Sequence, residues 1–188
     1  MRSVYVEASI VIFICLLIEA AQPQASDVLA YHYNAIFNFE WWRLITSTFC
    51  HTNFNHLAMN IAGLVVVLLL FPTAFLDLKL WHLILFSSLF ISFSLLIFTP
   101  SLIWYVGLSG VLHGLFTYGV MFDIKNKDKW GRILGLGIAG KIIIEQTFGS
   151  PISTAELIAA PVAINAHLYG AISGILFYFL SKHLAKIN

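Results

Sequence analysis

Two short strings, Gly107-Leu108-Ser109-Gly110 and Ala166-His167-Leu168-Tyr169-Gly170, each stand at the start of a long apolar segment. A serine hydroxyl becomes an effective nucleophile when a base removes its proton, and a neutral histidine suits that role. Polar groups inside an apolar segment are costly and usually functional. The two strings therefore predict a hydrolytic site inside a membrane, with Ser109 as nucleophile and His167 as base.

The composition supports a membrane setting. The chain is 60% hydrophobic and 10% charged, whereas soluble domains are about 45–50% apolar and about 25% charged. A membrane-spanning helix needs roughly 17–25 apolar residues, and six stretches approach that length. We therefore expect one all-α domain over residues 1–188, a bundle of six transmembrane helices surrounded by lipid, with no nucleic-acid partner and no cofactor. The six stretches are 4–21, 56–71, 80–98, 109–122, 133–147 and 167–181.

Basic residues indicate the orientation of this bundle. They fall at the N-terminus, after the second and fourth stretches, and at the C-terminus, whereas the opposite loops contain one basic residue, Arg43. Because positive loops stay in the cytoplasm, both termini are predicted to be cytoplasmic and Ser109 and His167 to lie at the outer membrane face. A signal peptide at the first stretch is the alternative. The basic residues on the cytoplasmic side are Arg2, Lys79, Lys125, Lys127, Lys129, Arg132, Lys182 and Lys186.

Glycines predict contact between the fourth and sixth helices. Gly110-x-x-x-Gly114 and Gly170-x-x-x-Gly174 are small-residue faces that let two backbones approach closely. His167 shares a face with Gly170 and Gly174, so the histidine turns toward the helix that begins at Ser109. The alternative is that these glycines serve packing alone and the serine and histidine are incidental.

A third group of polar residues precedes and begins the second helix. His56 and Asn60 are four residues apart and share one helical face. Attack by a serine forms a tetrahedral oxyanion that requires hydrogen-bond donors in a water-poor site. We predict that His56, Asn60 and the backbone N–H of Ser109 stabilise this oxyanion. Hydrogen bonding between helices is the alternative role of such residues.

Together these motifs resemble the rhomboid family of intramembrane serine proteases. The resemblance covers residues 42–60, 107–110 and 166–174, on the expected second, fourth and sixth helices. It implies a six-helix bundle that cleaves transmembrane proteins, with a Ser109–His167 dyad. By the same resemblance, Trp42 and Arg43 belong to the outer loop, His56 and Asn60 help to stabilise the oxyanion, and Gly107, Gly110, Gly170 and Gly174 support the site.

One residue departs from the common pattern of that family. The residue four after the serine is a tyrosine in many rhomboids, whereas here it is His113. The run around Ser109 resembles the rhombosortase subfamily, which implies a bacterial inner-membrane enzyme acting on exported proteins with GlyGly-CTERM tails. The resemblance leaves open whether the acyl group passes to water or to another amine. We predict that His113 supports the ring of His167.

Lys141 and Glu145 are charged residues in the otherwise apolar fifth stretch. An isolated charge at the centre of a membrane helix costs about 2.5–3.5 kcal/mol on insertion scales, so each needs a partner. At i,i+4 spacing they can pair with each other. A structural ion pair is one interpretation, and substrate recognition beside the catalytic serine is the other.

Two further functional classes remain open. The first is an intramembrane metalloenzyme, since Cys50, His51, His56, His113 and His167 are residue types that bind metals, although no close ligand motif supports a metal site and we predict none. The second is a catalytically inactive rhomboid-like protein that binds membrane clients. Such a protein would have lost the nucleophile or the base, whereas Ser109 and His167 are both present.

Overall fold

A computed structural model describes residues 2–76 and 80–187, with the side chains of 2, 3 and 184–187 left out. Lys79, used above to orient the chain, lies outside the described residues. The remainder is mostly helical, as predicted. The helices in chain order are α1 (Arg2–Ala20), α2 (Gln24–Leu29), α3 (Tyr33–Phe37), α4 (Arg43–Thr46), α5 (Phe54–Leu70), α6 (Leu80–Phe98), α7 (Ser109–Lys125), α8 (Lys129–Phe148), α9 (Ile152–Ile158) and α10 (Ile164–Ile187).

The six long helices coincide with the six predicted stretches. Of the described helices, α6 (Leu80–Phe98) and the Ile164–His183 part of α10 are long and apolar enough to cross a membrane, and the pair Arg43–Phe49 and Phe54–Leu70, bent by 91°, is a third if it forms one span. Helices α5 and α7 have 17 residues each, or roughly 25 Å at 1.5 Å per residue, which is less than the ~30 Å hydrocarbon core. The six-span count therefore stays a prediction.

Local sequence signals set the ends of the helices that carry the polar motifs. The side chain of Asn53 accepts a 2.9 Å hydrogen bond from the backbone N–H of His56 and caps α5. Asp128 caps α8 in the same way through Trp130. Gly149 ends α8 with φ +82°, a left-handed conformation that favours glycine. These caps satisfy backbone groups that a helix end leaves free.

Helix α7 is the centre of the bundle and packs against α5, α6, α8 and α10. Its closest neighbour is α10, because a Cβ added at Gly170 would overlap the carbonyl oxygen of Gly110, and one at Gly174 would overlap that of Gly114. Thr117 reinforces this contact by donating a 2.8 Å hydrogen bond to the carbonyl of Ala171. The glycine faces thus bring the two helix backbones into direct contact.

The α1–α5 segment, residues 21–53, adds structure that an all-α prediction did not include. Strands β1 (Tyr31–His32) and β2 (Trp104–Tyr105) form a short antiparallel pair, with Tyr31 opposite Tyr105. The pair joins this segment to the loop that precedes α7. The two cysteines, Cys15 and Cys50, are both buried and free.

Candidate active site

A cavity of about 410 Å³ lies where α5, α7, α8 and α10 begin or end near one face of the bundle. The structure brings together in its wall most of the polar residues singled out in the sequence. These residues are Ser109, His167, His113, His56, Asn60, Lys141 and Glu145. Most of the rest of the wall is apolar or comes from the segment between α8 and α10. The further lining residues include Thr52, Met59, Leu102, Trp104, Tyr105, Val106, Ser150, Pro151, Thr154, Ile158 and residues 160–163.

Ser109 and His167 are in hydrogen-bond contact. Ser109 is the first residue of α7 and His167 lies in the first turn of α10. The hydroxyl Oγ of Ser109 is 3.0 Å from Nε2 of His167, and the histidine is 6% exposed. The contact lies next to the Gly110–Gly170 approach of the two backbones, which accounts for how side chains 58 positions apart meet.

The opposite edge of the His167 ring meets an acidic side chain. Nδ1 of His167 lies 3.0 Å from Oε2 of Glu145, and both side chains are 8% exposed. An ionised carboxylate only accepts hydrogen bonds, so Nδ1 carries the proton and donates it to Glu145. Nε2 is then left with the lone pair that faces Ser109, which is the form a general base requires.

His113 lies flat against the ring of His167. The two ring centroids are 4.2 Å apart and the planes differ by 14°. Nδ1 of His113 is 2.7 Å from the backbone carbonyl of Ser109, to which it must donate, and Nε2 is 3.0 Å from Nζ of Lys141, from which it must accept. These two bonds define a neutral His113, and its effect on catalysis stays a prediction.

Lys141 and Glu145 form the expected ion pair, with Nζ 2.6 Å from Oε1 of Glu145. The side chain of Lys141 is 46% exposed whereas that of Glu145 is 8% exposed, so the pair runs from the cavity wall to the interior. Each oxygen of Glu145 has its own partner, Lys141 on Oε1 and His167 on Oε2. A role in substrate recognition stays a prediction for both residues.

His56 and Asn60 line the other side of the cavity, next to Gly107. The amide Nδ2 of Asn60 is buried and has no hydrogen-bond partner among the residues that the structure describes. A Cβ at Gly107 would lie 2.8 Å from Nε2 of His56 and 3.7 Å from Nδ2 of Asn60, and the φ of Gly107 is +119°. Glycine thus lets the chain pass close to both side chains, and a buried donor without a partner among the described residues lies beside Gly107.

Trp42 and Arg43 lie outside the cavity, in the α1–α5 segment. Nε1 of Trp42 donates a 2.9 Å hydrogen bond to the carbonyl of Val28. Arg43 is 6% exposed and donates to the carbonyls of Ala30 and Asp27 at 2.7 and 2.8 Å. It also forms an ion pair with Glu40. Both residues therefore stabilise the α1–α5 segment, and their bonds are to residues of that segment and not to Ser109.

Helix α9 covers part of the cavity and was not predicted from the sequence. Thr52 donates a 2.6 Å hydrogen bond to the carbonyl of Ile158, and Asn53 donates a 3.2 Å hydrogen bond to that of Leu157. Side chains at the start of α5 thus hold the end of α9. Pro151 before α9 and Pro161 after it were signals that the segment contains a short, separate element.

His113, Glu145 and His167 also form a group with metal-ligand chemistry. One potential ligand atom from each lies within 4.8 Å of the others. In this arrangement Nε2 of His113 accepts from Lys141, and the carboxylate of Glu145 is shared between Lys141 and His167. The same atoms are thus already engaged in hydrogen bonds within the cavity wall.

Comparison with known proteins identifies the family. The rhomboid domain model matches residues 38–183, which include every residue of the cavity described above. The chain is 31% identical over 151 residues to a rhomboid-like protein 11, chloroplastic, of Arabidopsis thaliana, an alignment that covers 76% of this chain and 53% of the plant protein. The chain thus spans about half the length of this curated relative. On these grounds, the chain belongs to the rhomboid family.

Proposed function

We propose that the protein is an intramembrane serine endopeptidase that cleaves transmembrane proteins. Oγ of Ser109 attacks the carbonyl carbon of the scissile bond while Nε2 of His167 takes its proton. The same nitrogen returns that proton to the leaving amine as the C–N bond breaks, and water then hydrolyses the ester on Ser109. The observation that carries the proposal is the 3.0 Å contact between Oγ and Nε2 in a cavity of the helix bundle.

The donors around Gly107 support the oxyanion step. The negative oxygen that forms on attack needs donors already in place, because reorienting them during the reaction would cost free energy. Asn60 offers a buried amide without a partner among the described residues, His56 lies beside it, and the backbone N–H of Ser109 belongs to the first turn of α7, where such groups are free. We assign the oxyanion to these three donors.

The enzyme would act at the periplasmic face of a bacterial cytoplasmic membrane. Ser109 begins α7 and His167 lies in the first turn of α10, and the far end of α7 leads into the cluster Lys125, Lys127 and Lys129. By the positive-inside rule, that cluster is cytoplasmic and the cavity opens on the other side. Both termini are then cytoplasmic.

The substrates we propose are exported proteins with GlyGly-CTERM tails, as for rhombosortases. The support is the His113 position four residues after Ser109 and the chemistry of a Gly-Gly pair. Without side chains, such a pair adopts the extended conformations that let a peptide bond approach a serine at the bottom of a cavity. Mass spectrometry of a client's new C-terminus, with and without the protein, distinguishes hydrolysis from transfer to another amine.

The direct test is cleavage of a transmembrane reporter by purified wild type, Ser109→Ala and His167→Ala. We expect both variants to insert and fold and to lose cleavage. Turnover by Ser109→Ala would refute the serine mechanism. Labelling of wild type by a fluorophosphonate probe, and not of Ser109→Ala, separates an active enzyme from an inactive rhomboid-like protein that binds membrane clients.

The grouping of His113, Glu145 and His167 favours a second candidate, a metal-dependent hydrolase. Zinc analysis of the purified protein decides between the two. Stoichiometric zinc that is lost together with activity on chelation would support the metalloenzyme and contradict the serine mechanism.

A further inference from the structure

We propose that Glu145 is a positioning residue that completes a Ser109–His167–Glu145 relay, an inference that rests on the proposed serine endopeptidase function. Sequence reasoning assigned Glu145 either to an ion pair with Lys141 or to substrate recognition. The structure adds a second contact of Glu145, to the base His167 itself. The carboxylate would hold His167 in one orientation and stabilise its positive charge when the serine proton arrives.

The burial of Glu145 is the first observation. Among the described residues of α8, Gly131, Ile142 and Glu145 are the buried ones, so the helix turns a carboxylate inward while leaving most of its apolar side chains outside. Burying a charge is unfavourable unless specific partners compensate it. Both oxygens of Glu145 have such partners, and one of them is His167.

The proton positions are the second observation. Lys141 is a pure donor and stabilises the ionised carboxylate from Oε1. Oε2 of that carboxylate can then only accept from Nδ1 of His167, which leaves the lone pair of Nε2 on the side of Ser109. The other tautomer would place a proton at Nε2 and could not remove the serine proton.

The way the ring is held is the third observation. Glu145 contacts one edge of the His167 imidazole and Ser109 the opposite edge, while His113 covers one face at 4.2 Å between centroids. Lys141 links the two supports, because its ammonium bonds both Glu145 and His113. The base is thus fixed against rotation by side chains from α7 and α8.

Glu145 takes part in both proton transfers by which Ser109 becomes acylated. As Oγ of Ser109 bonds to the carbonyl carbon, its proton moves to Nε2 and the His167 ring becomes a cation. The carboxylate of Glu145, 3.0 Å from Nδ1, stabilises that cation without itself taking a proton, as in other serine hydrolase triads. When the C–N bond breaks, the proton leaves Nε2 for the amine and the ring is neutral again.

A structural ion pair and the relay predict different results for two matched variants. Lys141→Met and Glu145→Gln each remove one charge of the same pair and keep nearly the same side-chain length. If the pair serves folding alone, the two variants should change activity equally. If Glu145 acts through His167, Glu145→Gln should be far more harmful, because Glu145 bonds His167 directly whereas Lys141 acts on it only through Glu145 and His113.

The experiment uses the full chain in detergent and measures fluorophosphonate labelling of Ser109 and cleavage of a transmembrane reporter peptide containing Gly-Gly. For Glu145→Gln we expect the labelling rate and kcat to fall about 10²–10⁴-fold, by analogy with other triads, with KM within about threefold. For Lys141→Met we expect a loss below about tenfold. Equal losses in the two variants, or near-normal kcat in Glu145→Gln, would overturn the relay.

Two controls keep the outcomes distinct. If Glu145→Gln does not fold because the ammonium of Lys141 is left unpaired, the neutral double variant Lys141→Met/Glu145→Gln replaces it and must show the same large loss of labelling rate relative to Lys141→Met. Ser109→Ala tests the underlying function separately. Activity in Ser109→Ala would reject the endopeptidase proposal, whereas an inactive Ser109→Ala beside an active Glu145→Gln would reject the relay alone.

Discussion

Replacing Gly170 with alanine should separate the two helices that carry the proposed dyad. The added methyl group would overlap the carbonyl oxygen of Gly110, and neither backbone can swing aside as a flexible side chain could. Carbon and oxygen need roughly 3.5 Å between them for van der Waals contact. We therefore expect α7 and α10 to move apart by on the order of 1 Å at this level.

The expected effect on activity is larger than that on stability. Overpacking costs about 1–3 kcal/mol, but alanine is favoured over glycine inside a helix by about 0.8–1.0 kcal/mol, so the two effects partly cancel. The Oγ–Nε2 distance between Ser109 and His167 is 3.0 Å, and a further ~1 Å takes it beyond the hydrogen-bond range. A misplacement of that size costs about 10²-fold in rate.

The assay compares kcat on the transmembrane reporter with the melting temperature of Gly170→Ala and of Gly137→Ala. A Cβ at Gly137 meets nothing within 4 Å among the described residues, so this variant is a matched control that should keep its activity. For Gly170→Ala we expect about 10²-fold lower kcat with a small change in melting temperature. Wild-type kcat in a folded Gly170→Ala would refute the claim that the glycine contact positions the dyad.

Three other variants test separate parts of the site. Asn60→Ala should lower kcat by about 10²–10³-fold through loss of one oxyanion donor, with KM little changed; a raised KM at normal kcat would instead assign the residue to substrate docking. A tyrosine ring can restore the stacking of His113 on His167, so steady-state kinetics should show substantial activity in His113→Tyr and much less in His113→Ala, and inactivity of both would contradict support through ring packing. Arg43→Met leaves the buried carbonyl of Ala30 without its donor, at about 1–3 kcal/mol, and removes the hydrogen bond to the carbonyl of Asp27, so thermal denaturation should show a lower melting temperature; an unchanged one would mean that the α1–α5 segment folds without this residue.

The sequence predicted the helices and their contacts better than it predicted the side-chain network. Positions of apolar stretches are local properties, and Gly170 and Gly174 predict a close helix pair because small residues permit it. The start of α7 at Ser109 follows from the same reasoning. These features need no knowledge of how distant segments are rotated.

The contact between Glu145 and His167 could not be predicted in this way. The fifth stretch is apolar on most sides, so its own pattern does not fix which side faces the bundle, and the i,i+4 pairing with Lys141 offered a sufficient partner. Its rotation depends on packing against α7. The bond between Lys141 and His113, and helix α9 over the cavity, depend on tertiary structure in the same way.

Helix α8 carries Glu145, which contacts His167. Most of this helix is nevertheless at the periphery of the bundle, because its buried residues among those described are Gly131, Ile142 and Glu145. A helix enclosed by neighbours, such as α7, keeps its tilt, whereas a peripheral helix adjusts its tilt to the thickness of the surrounding bilayer at a cost of fractions of a kcal/mol per Å. We therefore expect the 3.0 Å distance between Glu145 and His167 to depend on lipid chain length. We expect turnover in vesicles to pass through a maximum as acyl chains are lengthened; the same turnover at every chain length would mean that α7 fixes the tilt of α8.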